Sequence, residues 1–176
     1  MATYIAFLRA INVGGHTVKM DRLRQLFTEM GFKGAETFIA SGNVFFESAE
    51  ADSRALELQI EAGLKAALGY PVATFIRTQA ELAAAAAYQP WPQAQIEAAT
   101  AFNIAFLGGV PEEPAIQKLM ALRSEIDDFH VHGREVYWLC QKKQSDSTFS
   151  NAVLEKTLGR PSTLRGANTV KKMTGL

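Results

Sequence analysis

Cysteine occurs once in this chain, at Cys140, so no intramolecular disulfide can form. The fold must rest on burial alone, which suits a reducing compartment. Neither sign of charge is in excess: Lys and Arg number 18, and Asp and Glu number 18. That excludes the whole-molecule positive field of a typical nucleic-acid binder and leaves room only for a local basic patch. No stretch reaches the ~18 apolar residues that cross a bilayer, so no membrane association is expected. Nothing at the start of the chain reads as a cationic, hydrophobic, cleavable leader, and the expected location is the cytoplasm. Walker and G-x-G-x-x-G loops, CxxC pairs and G-x-S-x-G elbows are also missing, so no cofactor is expected.

What the chain has is a repeat. Ile5-Ala6-Phe7-Leu8 returns as Ile104-Ala105-Phe106-Leu107, each time before a glycine-bearing loop. Apolar residues make up 48% of 176 residues, enough for one medium domain or two intimately packed small ones. Residues 3–8 are rich in β-formers and read as a strand. Asp21 can cap a helix whose Leu23, Leu26, Phe27 and Met30 fall at helical spacing, with Gly31 as its stop. Residues 37–40 and 44–47 read as strands around Ser41-Gly42-Asn43. A second helix runs over residues 53–68, and residues 71–77 return as a strand. Thr78-Gln79-Ala80-Glu81 is a capping-box pattern opening an alanine-rich helix.

After a break at Gln89-Pro90-Trp91-Pro92 the order repeats. Strands are expected at 101–107, 128–131, 135–140 and 162–165, and helices at 112–122, 148–158 and from about 168. Each half then resembles a ferredoxin-like βαββαβ unit. The expected class is α+β: two such units by internal duplication, with antiparallel sheets, packed into one body. The expected divisions are 1–88, a linker at 89–99, and 100–176.

In that topology the loop after the first strand, the Ser41–Asn43 hairpin and the loop after the second helix meet at one end of the sheet. The loop at 9–19 is the richest segment. Adjacent glycines leave backbone N–H groups open, and Arg9, His16 and Lys19 add charge. Arg9, Asn12, Gly14, Gly15, Lys19, Ser41 and Asn43 are therefore the candidate residues for a small anionic, phosphate- or nucleotide-like ligand. Arg165 and Lys172 are candidates to approach from the other half. The plain alternative is that the glycines permit a turn while Asn12 and Asn43 satisfy loop backbone.

Other groups read first as structure. Ser41 with His16 lacks the setting of a nucleophile and base. His130 and His132 alternate on one strand face, but a metal needs three or four converging ligands, and none is expected. Cys140 ends an apolar strand as a buried thiol. Trp91, between prolines, reads as a packing knob. Lys142, Lys143, Lys171, Lys172, Arg160 and Arg165 make the C-terminal third locally basic, so nucleic-acid binding is a second hypothesis. A homodimer through sheet edges, with no small ligand, is a third.

The motifs Arg9-Ala10-Ile11-Asn12-Val13-Gly14-Gly15, Lys19-Met20 and Ser41-Gly42-Asn43-Val44 are similar to the N-terminal signature of the bacterial domain-of-unknown-function 1697 family. Gly133-Arg134-Glu135-Val136-Tyr137, Ser150-Asn151, Leu158-Gly159 and Thr163-Leu164-Arg165 resemble its C-terminal pattern. Two departures stand out: Ala10 where relatives usually carry glycine, and Gly166-Ala167 where they often carry Asn-Trp. The resemblance implies a two-part ferredoxin-like α+β fold and no catalytic residue or cofactor.

Overall fold

A computed structural model describes residues 1–12, 15, 17–38 and 42–175. The chain divides into two compact units, Met1–Ala83 and Ala84–Leu176. The first contains β1 (Ala2–Leu8), α1 (Met20–Glu29), β2 (Lys33–Thr37), β3 (Asn43–Ser48), α2 (Ser53–Leu68), β4 (Thr74–Thr78) and the start of α3 (Gln79–Ala87). Its antiparallel sheet has the order β2-β3-β1-β4. After α4 (Gln93–Ala98), the second contains β5 (Ala101–Leu107), α5 (Glu113–Met120), β6 (Asp127–His132), β7 (Glu135–Cys140), α6 (Asn151–Leu158), β8 (Ser162–Gly166) and α7 (Ala167–Met173). Its sheet order is β6-β7-β5-β8, the same topology. The expected class, α+β with two ferredoxin-like units, is the observed one.

Alternation sets the first sheet. Tyr4, Ala6 and Leu8 of β1 pack against Leu23, Leu26 and Phe27 of α1 and Leu56, Ile60 and Leu64 of α2. Ile5 and Phe7 point to the other face and are buried too. Each large side chain so buried contributes about 1.5–3 kcal/mol, against tenths of a kcal/mol for most propensity differences, so burial decides these elements. The two helices pack closely at Gly63, where a Cβ would collide with the Met30 thioether. In the second unit Ala105, Leu107, Val136 and Trp138 meet Leu119 of α5 and Leu154 and Leu158 of α6.

Local chemistry follows the sequence at several ends. The capping box forms as expected: Thr78 N donates to Glu81 Oε1 at 2.9 Å, and Glu81 N to Thr78 Oγ1 at 3.1 Å. Gly69 (φ +83°) and Gly159 (φ +69°) close α2 and α6 in the left-handed conformation.

Elsewhere the elements shift. Lys19, not Asp21, holds the cap position of α1, and its side chain makes no capping bond. Asp21 lies in the first turn and pairs with Arg24. The strand expected at 37–40 forms instead over Lys33–Thr37, a poor β-former, because it pairs with β3 from Lys33↔Glu47 to Thr37↔Val44, with a register shift between Lys33 and Glu36. Residues 39 and 40 lie outside the described residues. Residues 93–98, read as part of a polar linker, form α4.

The outer amides of β4 do not face solvent unpaired. Thr74 N donates to Glu61 Oε2 and Ile76 N to Glu57 Oε2, both at 3.0 Å, and Thr78 N is taken by the capping box. In β8, Ser162 N donates to Glu155 Oε2 at 2.9 Å. Carboxylates on the amides of an edge strand oppose strand addition there.

Candidate functional site

The three connections expected at one end of the first sheet do meet. Leu8 N donates to Gly42 O at 2.8 Å, joining the end of β1 to the β2–β3 hairpin. Arg9 N donates to Ala73 O at 2.9 Å, joining the next residue to the α2–β4 connection. Tyr70 Oη donates to Ile11 O at 2.9 Å and ties that connection to the loop a second time. Arg9, half-buried, thus sits on the seam of three segments.

The loop that follows is pinned at its base. Ile11 and Val18 are both buried in the first unit's core. Asn12 Oδ1 accepts from Val18 N at 2.8 Å and so closes the stem of the loop. Ala10 has φ +52°, a left-handed conformation that disfavours a Cβ, and Gly15 has φ +84° with open space around it. Asn43 is buried, and its Nδ2 donates to Phe38 O at 3.0 Å, closing the hairpin from within. Lys19 is exposed at the start of α1, where amides and helix dipole give a positive end.

Of the candidates, Arg9, Asn12, Gly15, Lys19 and Asn43 therefore belong to one end of one unit. Gly14, Ser41 and His16 lie outside the described residues. Arg165 and Lys172 belong to the second unit. Arg165 Nη1 donates to Thr163 Oγ1 at 2.7 Å and Leu164 O at 2.8 Å, and burial draws its pKa down to about 10. Lys172 is exposed on α7.

Several other polar groups of the second unit have visible tasks. His130 Nε2 lies 2.7 Å from Tyr88 Oη, and the Tyr88 ring stacks on His132 at 3.8 Å between centroids. Burial, then the neighbouring His132, holds the His130 pKa below its ordinary value, with Asp128 opposing. Trp91 packs edge-on against Phe102 and donates to Asp128 Oδ2 at 3.0 Å. Asp127 accepts from Trp138 Nε1 and Ser147 Oγ. Cys140 is buried, which pushes its thiol pKa up. Among the described residues no group of three or more His, Cys, Asp or Glu could hold a metal ion. None of their helices is long and apolar enough to cross a membrane.

Sequence reasoning gave Tyr88 no role, because a tyrosine closing an alanine-rich helix carries no local signal of the strand it covers. It also left Gln93 and Glu97 in a linker, although they and Lys171 line a cavity in the second unit.

Two ferredoxin-like units, the first with a stitched, arginine-bearing loop end, place the chain among two-part α+β proteins. More particularly, it belongs to the DUF1697 family, described as "Protein of unknown function", whose model matches residues 1–137. A conserved bacterial protein, SP0830 from Streptococcus pneumoniae, has a similar solved structure, with a TM-score of 0.75 and 22% identity over 99% of this chain and 97% of that one. That likeness is one of fold. No curated protein matches the chain.

Proposed function

We propose that the first unit binds a small anionic, phosphate- or nucleotide-like ligand at the loop end of its sheet. The observation that carries this is the seam: backbone bonds from Leu8 and Arg9 hold three segments together around Arg9. In this reading Arg9 and Lys19 supply charge, and the glycine-bearing loop supplies amides. Asn12 and Asn43 act as the frame, since their side chains already serve loop backbone. Ser41 and Gly14 complete the loop end in sequence. A thermal-shift screen with phosphates and nucleotides tests the reading. A stabilising hit that disappears in Arg9→Ala supports it, and no such hit sinks it.

The repeated strand order supports a related proposal, that both units descend from one duplicated βαββαβ ancestor. Glu61 on Thr74 N and Glu155 on Ser162 N make the same bond in each.

A further inference from the structure

Within the second unit, α4, the start of β5 and α7 enclose a cavity of about 310 Å³. That is the lower end of the range for small-molecule sites. Its apolar side includes Ile96 and Phe102. The Phe102 ring is held by Trp91 at 5.9 Å and Tyr137 at 6.1 Å, so this wall is formed in advance.

The polar lining carries both signs of charge. Glu97 comes from α4 and Lys171 from α7. Gln89 Nε2 donates to Gln93 Oε1, and Gln93 Nε2 donates to Glu97 Oε1 at 3.0 Å. This chain of bonds orients the carboxylate and leaves its second oxygen without a partner among the described residues. Asn168 and Lys171 stand one turn apart on the same side of α7, and neither side chain has a partner among the described residues. Glu97 and Lys171 do not pair with each other.

An anion alone would meet the Glu97 carboxylate, and a cation alone would meet Lys171. A molecule with both charges satisfies both walls through charge-assisted hydrogen bonds. We propose that this cavity binds a small zwitterion of the size and charge pattern of a free amino acid. Its ammonium lies on Glu97, its carboxylate on Lys171 and Asn168, and its apolar part against Phe102 and Ile96. The proposal does not depend on the anion site of the first unit.

The test is ligand-observed NMR and calorimetry on the full chain, with the twenty free amino acids as probes. At least one amino acid binds, while its decarboxylated amine and its deaminated acid each bind about tenfold more weakly or worse. Glu97→Gln and Lys171→Met each weaken binding by about tenfold or more at an unchanged melting temperature, because both positions are exposed. Arg9→Ala leaves this binding intact. Failure of every amino acid to bind at millimolar concentration overturns the proposal. So does binding that survives both charge variants, or an amine or acid that binds as tightly as its parent zwitterion.

Discussion

Arg77 and Arg165 hold the same place in two sheets. Arg77 lies opposite Ile5 across β1 and β4, and Arg165 lies opposite Ile104 across β5 and β8. In each, Nη1 donates to the carbonyl of the preceding residue, Ile76 at 2.9 Å and Leu164 at 2.8 Å. Arg77 is fully buried. Truncating so large a buried side chain leaves a cavity and strips carbonyl partners. Arg77→Ala should lower the unfolding free energy by about 3 kcal/mol in urea titration. The less completely buried Arg165 should lose less on the same change.

Glu57 is buried at 1% exposure and accepts from Ile76 N on the outer side of β4. Removing the carboxylate leaves that amide buried without an acceptor. Glu57→Ala is expected to cost about 2–3 kcal/mol, and Glu57→Gln less, since a carbonyl oxygen remains. Equilibrium unfolding of the two variants side by side checks the order.

Ala10 adopts φ +52°, where an L side chain costs about 1–2 kcal/mol. A glycine at this place would meet no such cost. Ala10→Gly should stabilise the chain by about 0.5–1 kcal/mol after the extra freedom it gives the unfolded state, and Ala10→Val should destabilise it. Melting curves of the three chains give the sign directly.

A short run of β-forming apolar residues ahead of a glycine-bearing loop was enough to place both β1 and β5, and most of their residues are buried on both faces. The Thr78–Glu81 box was legible because it needs only neighbours in sequence. The edge strand β2 was not. Its Lys-Gly-Ala-Glu-Thr sequence pairs through β3 alone, so its place is fixed by a partner distant in the chain. The meeting of loops around Arg9 followed from the topology, and of the two readings open for Asn12 and Asn43, loop-backbone partner or ligand holder, their bonds to Val18 N and Phe38 O match the first. A capping asparagine and a ligand-holding one look alike until the acceptor is seen. The Glu97 and Lys171 cavity was invisible for a related reason: its walls come from helices far apart in sequence.

The His130 pKa is lowered by burial and by His132, so the folded state favours the neutral ring. The unfolded chain then binds this proton more readily. The stability involved is fully present above the unfolded value near 6.5, and it is lost as pH falls from there through the folded pKa. Urea midpoints should drop between pH 7.5 and pH 5, and His130→Gln should flatten that drop. A pH dependence identical in the variant would assign the titration to other groups.

We propose that Arg9, fixed at the seam of three loops, gathers an anion. Isothermal titration of the stabilising phosphate or nucleotide into wild type, Arg9→Ala and Lys19→Ala tests it most directly. Affinity should fall by about tenfold or more in Arg9→Ala and by less in Lys19→Ala, and wild-type binding should weaken as salt is raised. Equal affinity in wild type and Arg9→Ala would contradict it.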